Sequence, residues 1–401
     1  MKIGLFALVV SLAAAVAAAG QRTDAGSTDS VPGSSAAPAA GWSLTPSMLV
    51  SRTFDDNVLL HGPGDPQDRD YINVVNPRGE LDYHGLHTDA SFRYDGAFIL
   101  YNQLEQLNSY DQHGGLSIKR RVSKRNSFFI TGSVAAAPTT ELLQFNGVPF
   151  IRAGAFTDEA RAGVESNLSK RTTVSVEGRF EQARFDTIPI YANLLLGGNS
   201  IGGGVSLRHR LSERTTFTAD ADMQHATIGT AEQVFDIQHG MVGVDEQLTE
   251  SMHVFASGGF SRLGVSDYGP PRSGPAWKMG LVQKVRTTII DLSYLRSFVP
   301  SFGFGGTMQN EEVTAQIHLP ITRRLYTTDL VSWRREDPIA IAVSQLRSRW
   351  IEAAVGYTAS PWLRIEAFFA GTQQNVGDLE APLLHNQYGV QVIASKPVRI
   401  R

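Results

Sequence analysis

The stretch from Val164 to Phe185, VESNLSKRTTVSVEGRFEQARF, joins two alternating segments through a short polar turn at Ser169-Lys170-Arg171. Apolar or small residues alternate strictly with polar ones in the second segment. One set is Val174, Val176, Gly178 and Phe180, and the other is Ser175, Glu177, Arg179 and Glu181. Because successive side chains of a β-strand point to opposite faces, the pattern predicts a β-hairpin with one apolar and one polar face.

The hairpin unit repeats along the chain. It returns around Ser212-Glu213-Arg214 and Thr249-Glu250-Ser251, with turns about 40 residues apart. Short turns fall near position 85, at 123–125, 169–171, 212–214 and 249–251, near 286, and at 320–323 and 360–361. Longer connections, richer in Gly and Pro, fall at 61–69, 138–155, 186–199, 265–275, 299–308, 336–344 and 375–384. Alternation of short turns with long loops is typical of a transmembrane up-and-down β-barrel.

The turns predict the strand count. Eight short turns give sixteen strands, and further strands at 43–60 and 385–394 bring the total to about eighteen, or sixteen if one hairpin is miscounted. An even count brings both termini to the short-turn rim, on the periplasmic side. A soluble β-sandwich also alternates, but it requires neither a leader nor so many consecutive hairpins. We therefore predict an all-β fold, a transmembrane antiparallel up-and-down barrel over residues 41–401.

The N-terminal segment has the pattern of a leader. Lys2 is followed by an apolar run from Ile3 to Ala19, which ends in small residues. This pattern is typical of a secretory signal peptide. A membrane anchor is the alternative, but the Ala-rich run is barely long enough to span a bilayer. We predict a signal peptide at 1–19 and a disordered periplasmic linker at 20–40, where Gly, Ser, Ala, Thr and Pro dominate.

Composition narrows the function classes. The net charge is -3, so no general attraction to nucleic acid is expected. The chain contains no cysteine, which removes disulfides, thiolate metal sites and a lipid anchor on cysteine. Charged residues make up only 19% of the chain, and alternation assigns most of them to one face of each strand.

The predicted inner face carries charges of both signs. A charge facing lipid at mid-bilayer would cost about 2 to 4 kcal/mol, so the charged set of each strand should line the interior. This set contains nine acidic and five basic residues: Asp89, Arg93, Asp95, Glu177, Arg179, Glu181, Arg208, Arg210, Asp220, Asp222, Asp291, Glu352, Arg364 and Glu366. The balance does not predict strong anion selectivity. Mixed charges fit a passage for hydrophilic solutes, or they pair across neighbouring strands and only keep the interior polar.

Aromatic residues close to predicted strand ends fit the girdles that mark membrane–water interfaces. They are Trp42, Tyr71, Phe128, Phe150, Trp277, Trp333, Trp350, Tyr357 and Trp362.

Signals of catalysis are poor. Asp220 and Asp222 share a face, but acidic pairs in a solvated pore usually only line it. The sequence has no Gly-x-Ser-x-Gly elbow and no His, Asp and Glu spacing typical of a metal site. We therefore predict no catalytic residue, no metal, no cofactor and no enzyme activity.

The first two predicted strands carry a more specific motif. Trp42-Ser43-Leu44-Thr45-Pro46 precedes Phe54-Asp55-Asp56-Asn57-Val58, and after a polar loop comes Tyr71-Ile72-Asn73-Val74-Val75-Asn76-Pro77. This motif resembles that of the β-barrel porin 2 family, outer-membrane barrels found near bacterial exopolysaccharide and capsule genes. The motif residues are Asp55, Asp56, Asn57 and Pro77. The first three belong at the extracellular end of a strand, where they could cap it through an Asx-turn or contact a glycan or divalent cation.

The C-terminus departs from a common pattern. Many outer-membrane barrels end in an aromatic residue that the barrel-assembly machinery reads, whereas this chain ends Lys396-Pro397-Val398-Arg399-Ile400-Arg401. Either the last strand ends near Ala394, or Ile400 takes the place of the aromatic residue.

These patterns predict a barrel of the bacterial outer membrane, in contact with outer-membrane lipid and lipopolysaccharide. The leading function is a porin-like channel for hydrophilic solutes. The resemblance implies a link to exopolysaccharide export, with polysaccharide or oligosaccharide as a partner. The first alternative is a structural or surface-binding barrel that does not conduct, and the second is an outer-membrane hydrolase.

Overall fold

The computed structural model describes residues 40–62, 67–143, 146–186, 195–229, 232–264, 270–340, 344–377 and 382–400. The predicted signal peptide and all but the last residue of the predicted linker lie outside these ranges.

Antiparallel strands follow one another in chain order, each hydrogen-bonded to its sequence neighbours. They are β1 (Gly41–Asp55), β2 (Asp70–His84), β3 (Thr88–Tyr101), β4 (Ser109–Arg121), β5 (Asn126–Ala137), β6 (Ala155–Asn167), β7 (Thr172–Phe185), β8 (Gly198–Arg210), β9 (Thr215–Ile228), β10 (Gln233–Thr249), β11 (Met252–Leu263), β12 (Arg272–Val285), β13 (Thr288–Pro300), β14 (Thr307–Pro320), β15 (Leu325–Ala340), β16 (Leu346–Ser360), β17 (Leu363–Val376), β18 (Leu383–Ser395) and β19 (Val398–Ile400). Short 3-10 helices lie at Glu105–Leu107 and Glu141–Leu143. None of the helices in the described ranges has the length and apolar character needed to cross a bilayer.

The first and last long strands close the sheet into a barrel. β1 pairs with β18 from Ser47 opposite Ser395 to Asp55 opposite Gln387. Closure leaves no strand edge with unpaired backbone groups, which is the condition for a sheet in hydrocarbon. The predicted all-β barrel of eighteen strands is confirmed, and β19 continues the last strand along β1, with Trp42 opposite Ile400.

The strand bounds differ from the sequence prediction at several places, among them β12, which begins at Arg272 inside the predicted loop 265–275, and β15, which runs to Ala340 inside the predicted loop 336–344. The first strand ends at Asp55 rather than near position 60, because the Asp55 carboxylate accepts the Asn57 N–H and forms a turn. Two connections between strands were not predicted from the sequence, one between Tyr101 and Ser109 and one between Ile228 and Gln233. Both are short and contain no proline, so they lack the composition by which the other long-loop connections were found.

A repeated hydroxyl cap builds the short turns. Ser169 Oγ accepts hydrogen bonds from the backbone N–H of Arg171 at 3.1 Å and of Thr172 at 3.0 Å. Ser123 and Ser212 accept the same pair of bonds in their turns, and so does Thr322. Ser and Thr hydroxyls offer the backbone such local acceptors, which explains why the same polar sequence recurs at one end of the barrel.

The two faces of the wall differ as the alternation predicts. Val176, Val205 and Ile365 are among the large apolar side chains exposed on the outer face. Their register partners share that face, since opposite residues of an antiparallel pair point to the same side. A continuous apolar outer surface on a closed barrel is the surface that lipid solvates.

The aromatic prediction holds in part. Trp42, Tyr71 and Trp362 are exposed at strand ends. Phe150 and Trp350 are not interfacial, since each is only 3% exposed. Phe150 lies in a loop that folds into the barrel, and Trp350 has the inward parity of β16 and lines an interior cavity. Burial against other protein groups, rather than lipid contact, determines the position of these two rings.

Candidate functional site: the barrel lumen

The described residues of the connection between β5 and β6, 138–143 and 146–154, fold into the barrel and are called the lumen loop here. Near its start, the Glu141 carboxylate lies 2.9 Å from His385 Nδ1 and accepts a hydrogen bond from the Thr372 hydroxyl. These partners belong to β18 and β17, whereas the loop leaves the wall at β5. The lumen loop therefore crosses the interior to another part of the wall.

Two buried acceptors on the wall bind the backbone of the lumen loop. The Gly147 N–H donates to Glu336 Oε1 at 2.8 Å, and the Phe150 N–H donates to Gln374 Oε1 at 2.6 Å. Glu336 and Gln374 are each only 2% exposed. A buried N–H without a partner costs about 1 to 3 kcal/mol, so these acceptors favour the docked position of the loop.

The returning part of the loop is fixed to the first hairpins. The Arg152 guanidinium donates to the Val58 carbonyl at 3.2 Å, the Tyr101 hydroxyl at 3.0 Å and the Leu107 carbonyl at 3.1 Å. Within the loop, Thr140 Oγ1 donates to the Pro149 carbonyl at 2.7 Å and accepts from the Ile151 N–H at 2.9 Å. The lumen loop is thus held at several points and braced internally.

An apolar cluster fills the space beneath the lumen loop. Leu143 and Val148 of the loop pack with wall residues at the long-loop ends of strands and with Phe302 of the β13–β14 connection. The cluster comprises Ala135, Ala137, Leu143, Val148, Ala155, Ala183, Ile228, Phe235, Ile237, Leu263, Phe298 and Phe302. Burial of apolar surface contributes about 25 cal/mol per Å². Because the cluster joins loop side chains to wall residues inside the barrel, it narrows the long-loop half of the lumen.

Two interior cavities lie beside the lumen loop. The larger, of about 1090 Å³, is lined by β5 to β13 and touches the loop at Asn146. The smaller, of about 310 Å³, is lined mainly by β14 to β18 and touches the loop at Glu141 and Leu142. Both walls are rich in polar and charged side chains, and residues of the loop line each of the two spaces.

Nine of the fourteen charged residues singled out in the sequence line one of the two cavities. Six line the larger cavity: Glu177, Arg179, Glu181, Arg208, Asp220 and Asp222. Three line the smaller one: Glu352, Arg364 and Glu366. The other five lie opposite wall residues in the strand register: Asp89 opposite Lys119, Arg93 opposite Glu80, Asp95 opposite Arg78, Arg210 opposite Thr216 and Asp291 opposite Gln316. That they line a conducting path stays a prediction.

Several of these charges pair with one another or with wall residues, within a strand or across neighbouring strands. The Glu177 carboxylate lies 2.8 Å from Arg161 Nη2 and 3.1 Å from Arg179 Nη2. On the next strands, Asp222 Oδ2 lies 3.0 Å from His239 Nδ1. Partly exposed ion pairs contribute little stability, about 0 to 1 kcal/mol each. Their effect here is to keep a water-facing wall polar and of mixed sign.

The motif residues Asp55, Asp56 and Asn57 lie at the seam where the barrel closes. Asp55 Oδ1 accepts the Asn57 N–H at 2.9 Å, which forms the Asx-turn expected at this strand end. The Asp56 carboxylate accepts the backbone N–H of Asn386 at 2.7 Å and its side-chain amide at 2.8 Å. Asn57 donates to the Leu384 carbonyl at 2.8 Å. Asp55 Oδ2 also accepts a hydrogen bond from Gln387 Nε2 at 2.9 Å, so all three side chains join the end of β1 to the start of β18.

Pro77 has a different position. It lies in the interior of β2 opposite Met48 of β1. The β2–β3 register runs from Val75 opposite Phe98 to Arg78 opposite Asp95, with Pro77 in the interval. Proline has no N–H to donate, so it weakens the ladder on the β3 side.

A histidine acts as a general base only through a ring nitrogen that is free to accept a proton, and the arrangement at His385 does not provide one. Its Nδ1 faces Glu141 and its Nε2 lies 2.9 Å from Asp55 Oδ2, so carboxylates occupy both ring nitrogens. The ring is also buried, at 8% exposure. In the described part of the chain, no group of three or more His, Asp or Glu side chains is arranged to hold a metal ion. The absence of enzyme activity stays a prediction.

Comparison with known proteins gives structural likeness only. No family model matches the chain, and no curated protein is similar to it in sequence. Similar structures include OccAB3 of Acinetobacter baumannii, with a TM-score of 0.47, 11% identity and coverage of 89% of this chain and 99% of that one. OpdL of Pseudomonas aeruginosa has a TM-score of 0.44 and 9% identity, with coverage of 90% of this chain and 99% of that one. The siderophore receptor PirA of Pseudomonas aeruginosa has a TM-score of 0.44 and 11% identity, with coverage of 90% of this chain and 81% of that one. At these scores the likeness carries no argument about function.

The architecture itself determines the location. A closed eighteen-strand barrel with an apolar outer belt and a polar interior is the form in which a sheet crosses a bilayer, and barrels of this type lie in the bacterial outer membrane. The chain is a β-barrel of the bacterial outer membrane.

Proposed function

We propose that the protein is a passive, porin-like channel for small hydrophilic solutes. The observation that carries the proposal is the pair of polar cavities, of about 1090 and 310 Å³, inside a closed transmembrane barrel. Side chains of both signs, such as Arg179, Asp220 and Arg364, offer hydrogen-bond donors and acceptors to a hydrated solute. The lumen loop narrows this path and sets the size limit.

The alternative is a barrel closed by its own loops. The apolar cluster beneath the lumen loop favours this alternative, since Val148 and Phe302 pack where water would otherwise continue. Such a barrel would serve as a structural or surface-binding protein in contact with outer-membrane lipid and lipopolysaccharide. The two candidates differ in whether water-filled paths run past the loop.

Liposome swelling separates them. Proteoliposomes that contain the full chain are placed in isotonic sugars of increasing size. We expect swelling with small sugars and none above a size limit. Replacement of Gly147 by Ala, which disturbs loop docking, should raise that limit, whereas Gly377→Ala should not. If folded protein gives no swelling with any sugar, the barrel is closed and the channel proposal is wrong.

The export link is a finer proposal. The Asp-Asp-Asn motif that resembles the β-barrel porin 2 family supports a role in the release of exopolysaccharide. Deletion of the gene should reduce polysaccharide in the medium, and expression of the intact chain should restore it. Unchanged secretion in the deletion strain would refute the export role while leaving the channel proposal intact.

A further inference from the structure

The short-turn rim carries a one-sided concentration of positive charge. Three neighbouring turns, β4–β5, β6–β7 and β8–β9, together present Lys119, Arg120, Arg121, Lys124, Arg125, Lys170, Arg171, Arg210 and Arg214. These nine residues are called the basic rim. The acidic residues near the same three turns are Glu165 and Glu213. The β10–β11 turn, by contrast, carries Glu250 and neither lysine nor arginine.

The charges of the basic rim are exposed and poorly compensated. Each of the nine residues is exposed to solvent. In the part of the chain that the structure describes, the ion pair found for this set joins Lys119 Nζ to Glu165 Oε2 at 3.2 Å. Unpaired like charges on adjacent turns repel one another, and a bound polyanion would relieve that repulsion.

The direction of the side chains distinguishes an aqueous ligand from lipid. Arg121 lies opposite Ser127, two residues before the cavity-lining Phe129, and Arg210 lies opposite the cavity-lining Thr216. Both arginines therefore have the inward parity of their strands. The outer face of the same turns ends instead in exposed aliphatic residues, Val122, Leu168 and Leu211. Of the strand residues in the set, Arg120 has the outward parity, opposite Phe128, whereas Lys119, Arg121 and Arg210 have the inward parity, so most of these cations face the aqueous mouth.

The basic rim continues into the lumen. Arg208 lies two residues from Arg210 on β8, about 7 Å along the strand. Arg208 and Arg161 both line the cavity of about 1090 Å³. Carboxylates such as Glu177 and Asp220 line the same cavity, so the concentration of positive charge belongs to the rim and its first inward residues.

We propose that the basic rim binds an anionic polysaccharide, a polymer with carboxylate groups on its sugars, presented from the periplasm. The proposal rests on the proposed function for the polymer and for its side of approach. Neighbouring turns are two strands apart, about 10 Å, so a polymer can contact all three at once while a single small anion meets only one. Several simultaneous contacts raise the affinity of a polymer beyond that of its units.

The test uses the full chain in detergent and a fluorescent oligogalacturonate as the probe, with neutral dextran as the comparison. We expect binding of the oligogalacturonate alone, and its affinity should fall with rising salt. The rim variant Lys124→Glu/Arg125→Glu/Lys170→Glu/Arg171→Glu should weaken binding by about tenfold or more. The control Arg323→Glu/Arg324→Glu changes the hydroxyl-capped β14–β15 turn and should bind as the wild type does.

Three results would overturn the proposal: no binding of oligogalacturonate, equal losses in both variants, or binding only to vesicles that contain phosphatidylglycerol. Each variant must first show wild-type heat-modifiable migration, which reports a folded barrel. A protein that passes sugars but does not bind the probe would refute the basic rim alone. A protein that binds the probe but passes no solute would refute the channel alone.

Discussion

Nε2 of His385 lies 2.9 Å from Oδ2 of Asp55, which joins the last long strand of the barrel to the first. The other ring nitrogen faces Glu141 of the lumen loop. Both acceptors are carboxylates, so both nitrogens donate and the ring is doubly protonated in this arrangement. One side chain thus connects the seam of the barrel with the loop that narrows its lumen.

Replacement of His385 by Ala should destabilise the barrel. The change leaves two buried carboxylates, Asp55 and Glu141, without their shared cation, and loss of one partner of a buried ion pair costs about 3 to 5 kcal/mol. Urea unfolding of the protein in vesicles, followed by tryptophan fluorescence, measures the difference. His87→Ala, at an exposed turn position, should change stability by less than about 0.5 kcal/mol. Equal effects of the two substitutions would contradict the role assigned to His385.

Removal of the Asp56 carboxylate should weaken the seam. Asp56→Ala breaks two hydrogen bonds to Asn386, and bonds to charged groups contribute about 1.5 to 3 kcal/mol. The urea concentration at which half of the protein loses its folded, heat-modifiable migration on a gel should therefore fall. Asp68→Ala is the matched control, since it is the backbone oxygen of Asp68 that accepts the bond from Val58. A control that falls as far would show that the loss is not specific to the seam.

A methyl group at position 147 should displace the lumen loop. Gly147 has a φ of +67°, and an added Cβ would overlap the Ser301 side chain. Gly377 has a similar φ of +61°, but its Cβ would meet Ser344 only at an ordinary 3.4 Å. Both Ala variants carry the same backbone strain, of about 1 to 2 kcal/mol, and only Gly147→Ala adds the clash.

Trypsin cleavage after Arg152 measures the displacement, because three hydrogen bonds of the Arg152 guanidinium hold this residue in place when the loop is docked. Cleavage after this residue, detected by mass spectrometry, should be faster in Gly147→Ala than in Gly377→Ala or the wild type. Equal rates in all three would mean that the loop docks without Gly147.

A disulfide should form across the seam if the barrel closes in the register found here. Ser51 lies directly opposite Gln391, and the chain has no other cysteine to compete. Ser51→Cys/Gln391→Cys should cross-link on mild oxidation, since Cβ atoms of opposite residues are about 4.5 to 5.5 Å apart. Ser51→Cys/Val392→Cys should not, because Val392 faces outward. Cross-linking of the second pair instead would indicate a register shifted by one residue.

The fold could be predicted from sequence because its signals are local. Most hairpins can be recognised from alternation and from a short polar turn, such as those capped by Ser169 and Ser212, within about 30 residues of chain. The course of the last strand is harder to predict from sequence, because it depends on pairing with β1. The structure ends β18 at Ser395, and β19 then resumes along β1 with Ile400 opposite Trp42.

The lumen loop could not be predicted, because its contacts are distant in sequence. Glu141 and His385 are 244 residues apart, and Gly147 and Glu336 are 189 apart. None of these four was singled out as a site residue. The available signal was weak: Glu141 is the one acidic residue of a connection that also contains apolar residues, Gly and Pro, and a buried carboxylate needs a partner. The sequence predicts an interfacial position for Trp350, whereas the structure gives its ring the inward parity of β16 and buries it.

Single-channel recording tests the central claim most directly. Wild-type protein in planar bilayers should give stepwise conductance, and a variant with residues 141–150 replaced by a short Gly-Ser linker should give steps severalfold larger. The reason is that the replacement removes both Glu141 and the apolar packing of Leu143 and Val148 from the lumen. Heat-modifiable migration of both proteins confirms that the barrels are folded. Silent bilayers with both folded proteins, or equal steps from the two, would contradict a channel narrowed by its lumen loop.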